Sequence, residues 1–197
     1  LLESDVEPLG QLSGSLEELE LSTEAEFHVE SNYEDEINAG LPCFPKSFLA
    51  LTMLRILALL GHSRITAIPA AISSLKNLEV LGLYGCGLAS LPKELGELSG
   101  LTRLDLSDNS WLEPAAEAFP AELGKMKSLR ELNLHACRLS TVPAFVAELG
   151  SLESLKLSGR GLRTVPAFIG GLKSLESLAL NGGRLSSLPK ELGDLSG

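Results

Sequence analysis

Apolar positions along the chain follow two interlocking spacings. The first is Leu-x-x-Leu-x-Leu, at Leu16/Leu19/Leu21, Leu54/Leu57/Leu59, Leu78/Leu81/Leu83 and Leu101/Leu104/Leu106. It continues at Leu129/Leu132/Leu134, Leu152/Leu155/Leu157 and Leu175/Leu178/Leu180, making seven copies. The steps between first leucines are 38, 24, 23, 28, 23 and 23 residues, a basic period of 23 with two insertions. The second spacing is apolar-Pro-x-x-apolar-x-x-apolar. It runs from Phe44-Pro45-Phe48-Leu51 and Ile68-Pro69-Ile72-Leu75 through to Leu188-Pro189-Leu192-Leu195. Ser90–Gly100 and Ser187–Gly197 differ only at Glu97 versus Asp194, which supports the alignment of the copies.

Each spacing predicts an element. Alternation of Leu-x-Leu puts both leucines on one face of a short strand. Apolar residues three apart, after a proline, suit a helical or 3₁₀ turn with Pro at its first position. One unit is therefore strand, turn, short helical return and turn. A single unit cannot bury its apolar face; seven stacked units build one continuous core. Leucine supplies 44 of the 197 residues and aromatics only 5%, as expected when one small packing problem is solved repeatedly.

These motifs resemble those of the leucine-rich-repeat family, over residues 9–197. The 23-residue form with Leu-Pro-x-x-Leu-Gly-x-Leu, seen at Leu91–Leu98, is similar to the intracellular Ras-group repeats used by Scribble-type scaffolds. The resemblance implies an α/β solenoid of about seven repeats. A curved parallel sheet would line the concave face, with short helical or 3₁₀ turns on the convex face. It also implies that binding takes place on the concave face. We expect a single domain over 1–197, part of a longer array, with an acidic insertion at 22–43 and a short one at 110–118. The absence of a polar cap at Gly197 predicts fraying at that end.

The chain departs from the family where Asn is expected three residues after the last strand leucine. Only Asn109 fits; Cys86 and Cys137 stand in the same slot, while Arg160 and Gly183 fit poorly and the first full repeat offers His62 or Ser63. An incomplete ladder of side-chain amides is the expected consequence. Cys86 and Cys137 read as buried ladder residues. Two repeats apart, at roughly 10 Å, they are beyond disulfide reach.

Residues beside the strand leucines should face out. One column reads Glu18, Ile56, Val80, Arg103, Glu131, Ser154 and Ser177. The next reads Glu20, Ala58, Gly82, Asp105, Asn133, Lys156 and Ala179. A third reads Ser22, Leu60, Tyr84, Ser107, His135, Ser158 and Asn181. The first copy is acidic, the next two are apolar, and the following three are charged and polar. An apolar cluster with an aromatic and a charged border has the make-up of an interface core with a polar rim. The candidate partner-binding residues are Ile56, Leu60, Val80, Tyr84, Arg103, Asp105, Glu131, Asn133, His135 and Lys156. Trp111 reads as a plug where the second insertion leaves the solenoid. Arg64, Arg138, Arg160, Arg163 and Arg184 read as a ridge along one edge.

Charge narrows the partner. Of 26 acidic residues, 12 lie in residues 1–45, which hold no Lys or Arg; the remainder carries 14 acidic and all 16 basic residues. Phosphate binding needs a concentrated basic surface, so nucleic acid is not expected. No apolar run is long enough for a membrane span. Three scattered cysteines and no Asn-x-Ser/Thr sequon lean toward a cytoplasmic setting. There is no phosphate loop, His-Glu-x-x-His or Gly-x-Ser-x-Gly motif, so neither enzyme chemistry nor a metal or cofactor is expected. The expected function is protein–protein interaction, as a scaffold or recognition module. Two alternatives stay open: a permanent structural subunit of a large assembly, or a regulatory repeat segment of a larger signalling enzyme such as a GTPase or kinase.

Overall fold

The computed structural model describes residues 15–22, 40–110, 112, 118–157, 161–181 and 184–195. Both expected insertions lie largely outside these residues, as do Trp111, Arg160, Gly183 and Gly197.

The strand motif forms seven strands: β1 (Glu18–Ser22), β2 (Ile56–Leu60), β3 (Val80–Gly82), β4 (Arg103–Asp105), β5 (Glu131–Asn133), β6 (Ser154–Lys156) and β7 (Ser177–Ala179). They make one parallel sheet in chain order. The register follows the sequence columns: Glu18, Ile56, Val80, Arg103, Glu131, Ser154 and Ser177 pair in succession. Paired amides at the entries of β2 to β7 help fix it. Those of Arg55 and Ile56 both donate to the Glu17 carbonyl, and those of Glu79 and Val80 to the Arg55 carbonyl. The middle leucines Leu57, Leu81, Leu104, Leu132 and Leu155 are buried, and so are Leu59, Leu83, Leu106, Leu134 and Leu157.

The proline motif resolves to 3₁₀ rather than α geometry. Each return is five residues long, as at Lys46–Ala50, Ala70–Ser74 and Lys93–Glu97. The three-residue spacing is the physical cause. At three residues per turn, positions i and i+3 eclipse, so every third side chain faces the core. The amide of Phe48 donates to the Pro45 carbonyl, that of Leu51 to Phe48, and that of Leu54 to Leu51. Proline sits one position earlier than expected, as an extended N-cap and not the first helical residue; Pro69 has φ −69° and ψ 148°.

The Leu-Gly pair of the motif is explained by stacking between returns. A Cβ at Gly96 would collide with the Glu122 carbonyl of the next return, and one at Gly170 with that of Glu191. Gly87 serves the turn after the strand. It holds φ +67°, and a Cβ there would run into the Ser63 carbonyl.

Candidate functional site

The solenoid first has to satisfy its own buried backbone groups, and the side chains three positions after the strand leucines do this. Asn109 is fully buried. Its Nδ2 donates to the carbonyls of Leu83 and Leu106 at 2.8 Å and Ser107 at 3.2 Å, and its Oδ1 accepts from the Leu88 amide at 2.9 Å. Cys86 donates through Sγ to the Leu59 carbonyl at 3.1 Å, and Cys137 to the Leu106 carbonyl at 3.0 Å. Both thiols are buried, and burial pushes each pKa up to about 12. The ladder reading of these cysteines holds.

His62, not Ser63, takes the slot in the first full repeat. It is 4% exposed, and its Nδ1 accepts the Leu41 amide at 3.1 Å. That bond fixes the neutral tautomer with the proton on Nε2. Burial lowers the His62 pKa; the Leu21 carbonyl works the other way, without forming a hydrogen bond to Nε2. His62 thereby ties the return of the acidic insertion to the body of the solenoid.

The outward columns form one continuous strip on the face opposite the 3₁₀ returns. Over β2 and β3 it is apolar. Ile56, Leu60, Val80 and Tyr84 are half-buried, around a floor of Ala58 and Gly82, both buried. Over β4 to β6 it becomes polar, and a shallow depression of about 280 Å³ opens there, lined by Arg103, Asp105, Glu131, Asn133, Ser154 and Lys156 over Leu104 and Leu132.

This polar half is already organised. Asp105 Oδ1 accepts from the Ser107 amide at 2.9 Å and the Ser107 hydroxyl at 2.5 Å. Its Oδ2 accepts from Asn133 Nδ2 at 3.0 Å, and Asn133 Oδ1 accepts from the His135 amide at 3.1 Å. Arg103 donates to Glu131 at 2.6 Å, which raises the Arg103 pKa through that hydrogen bond and the opposite charge. Lys156 and His135 are exposed.

The ten residues picked from the sequence therefore fall on one face, in two adjoining parts. Ser107 and Ser154 belong to the polar part and were not singled out. An Asp followed two residues later by Ser is the signal that could have found Ser107, because Asp caps nearby backbone amides. Of the arginine ridge, Arg64, Arg138, Arg163 and Arg184 are exposed, and Arg160 lies outside the described residues. The Arg184 amide donates to the carbonyl of Leu162, next to Arg163 on the preceding repeat. Among the described residues no group of acidic, His and Cys side chains could hold a metal, and no helix is long and apolar enough to cross a membrane.

A family model described as leucine-rich repeat region matches residues 43–157, more than half of the chain. The chain belongs to the leucine-rich-repeat family. A leucine-rich-repeat protein of Leptospira interrogans superposes with a TM-score of 0.73 at 32% identity, over 96% of this chain and 43% of that one. The leucine-rich-repeat ectodomain of a membrane receptor kinase from Arabidopsis thaliana, solved in complex with Casparian strip integrity factor 2, has a TM-score of 0.64 at 28% identity. That match covers 94% of this chain and 21% of the ectodomain chain. TMV resistance protein N of Nicotiana glutinosa is 35% identical over 104 residues, which is 50% of this chain and 9% of that protein. The chain thus spans less than half the length of each of these relatives. Leucine-rich repeats are typically protein–protein interaction modules.

Proposed function

We propose that this chain is a non-enzymatic protein-recognition module that captures a partner protein on the concave face of its sheet. The observation that carries this reading is the unbroken strip from Ile56 to Lys156. An apolar core with Tyr84 adjoins a fixed polar rim, the distribution that interfaces favour. The test is capture from native extract by the wild-type chain and by Tyr84→Ala, Arg103→Ala and a control on an exposed residue of a 3₁₀ return, Lys93→Ala. Loss of the same partner with the first two variants and not the third supports the reading. Equal capture by all four chains overturns it. Protein is favoured over nucleic acid because the exposed cations Arg55, Arg103 and Arg130 are each paired with a carboxylate.

The 23-residue repeat and the three free thiols also support a cytoplasmic setting and the Ras-group scaffold type. A fluorescent fusion of the full-length protein tests the location, and secretion would refute it. A second reading is favoured by the relatives: the chain matches small parts of much larger receptor and resistance proteins. On that reading the repeats are the regulatory segment of a signalling protein, and the same face receives the regulator.

A further inference from the structure

The strip's charges are ordered along its length, and that order specifies a partner more narrowly. In register across β1 to β6 stand Glu20, Ala58, Gly82, Asp105, Asn133 and Lys156. Glu18 and Glu20 are exposed on β1, and Lys156 is exposed on β6. Among the described residues none of these three enters an ion pair; between them Arg103 and Glu131 neutralise each other, and the Asp105 carboxylate is held by hydrogen bonds from Ser107 and Asn133. Between the charged ends lies the apolar patch. A methyl added at Gly82 would meet the Ala58 Cβ at 3.3 Å and the Leu60 Cδ2 at 3.9 Å. Even a methyl is a tight fit there, so the floor is closed and apolar, and the half-buried side chains of Ile56, Leu60, Val80 and Tyr84 present the surface around it.

Resting on the concave-face reading above, we propose that the strip binds an extended segment of a partner protein that is basic at one end, apolar in the middle and acidic at the other. Its basic end lies over Glu18 and Glu20. A leucine- or phenylalanine-sized side chain packs on the apolar surface of Ile56, Leu60, Val80 and Tyr84. Polar groups cross the Asp105–Asn133 depression, and the acidic end meets Lys156. Five strand steps separate β1 from β6, roughly 24 Å at the usual ~4.8 Å spacing. That is the reach of about seven extended residues. Exposed charges of this kind steer and orient a partner more than they tighten it, so low salt is the condition in which to read them.

The experiment uses fluorescence anisotropy at low salt with a labelled peptide, Lys-Lys-Ser-Leu-Phe-Ser-Gly-Asp-Asp, and a scramble of the same composition with both charges mixed at each end. The first peptide should bind at least tenfold more tightly than the scramble. Glu18→Lys/Glu20→Lys should weaken it about tenfold, and adding Lys156→Glu should restore binding to within about threefold, because the peptide can turn end for end. Tyr84→Ala should weaken it in every background. Equal binding of peptide and scramble, or no recovery in the triple variant, overturns the proposal. Should the triple variant not fold, the peptide-against-scramble comparison on the wild-type chain decides alone. If both peptides bind equally and Tyr84→Ala abolishes both, the polarity is wrong and the concave-face reading survives. If neither binds, the proposal fails, and partner capture through Tyr84 and Arg103 is judged by its own experiment.

Discussion

The Asn133 amide donates to the Asp105 carboxylate at 3.0 Å across neighbouring strands. These residues are 28 positions apart in the chain, yet direct partners in the parallel register. Asp105 also accepts twice from Ser107, so its carboxylate is held in place from both sides. A polar surface fixed this way loses little freedom on binding, which favours its use in recognition.

Asn109→Ala should be among the more damaging polar substitutions. It leaves the Leu88 amide and the Leu83 carbonyl without this partner inside the core, while the Leu106 carbonyl keeps the Cys137 thiol. Orphaned buried groups cost about 1–3 kcal/mol each, so a total loss on the order of 3 kcal/mol is expected. Urea denaturation measures it, and a loss below about 1 kcal/mol would refute the ladder account.

Glycines of the chain should separate sharply. Gly96→Ala must displace the Glu122 carbonyl, whereas a methyl at Gly150 meets nothing within 4 Å. Overpacking costs about 1–3 kcal/mol, so Gly96→Ala should fall in that range while Gly150→Ala stays within about 0.5 kcal/mol of wild type. Matched thermal melts of the two variants make the comparison.

The stability of the chain should fall with pH through the imidazole range. The His62 pKa is lowered from its ordinary 6.5, chiefly by burial. At pH 7.5 neither folded nor unfolded chain protonates it. Below about 6.5 the unfolded chain takes up the proton first, and stability is lost until the folded pKa is reached. Melting temperatures at pH 7.5 and 5.0 should therefore differ. His62→Gln, which keeps an acceptor for the Leu41 amide, should flatten that slope; an unchanged slope would show that another group controls it.

Only one of the three thiols should react in the native state. Cys43 is exposed, while Cys86 and Cys137 are buried with pKa values of about 12. At pH 8 a thiol of that pKa is about one part in ten thousand thiolate, the reactive form. Titration with a chromogenic disulfide should count one fast thiol, and three after unfolding. Three fast thiols in the native chain would contradict the packing.

Truncating Arg103 should report on binding without unfolding the chain. Its ion pair with Glu131 is surface-exposed, with side chains 55% and 47% accessible. Exposed pairs contribute about 0–1 kcal/mol, so Arg103→Ala should melt close to wild type. A large drop in melting temperature would disqualify it as a binding probe.

The sequence by itself determined the repeat, its register and its inward face. Leucine at three fixed positions per copy leaves one alignment that buries them all, and a shift by one residue would turn each strand over. That same alignment already placed Ile56, Val80, Arg103 and Glu131 in one outward row. The columns were legible because parallel stacking converts position in the repeat directly into position on the face.

Only the tertiary structure decided what those rows do to one another. It chose 3₁₀ over α for the returns and put His62 rather than Ser63 in the ladder. It also joined Ser107 to Asp105 and Asn133 in one network. It turned Ala58 and Gly82, bland in the sequence, into the closed, buried floor of an apolar patch. Each of these depends on distances between side chains of different repeats. A 23-residue spacing sets which residues meet, and their packed geometry sets whether they bond, collide or leave room.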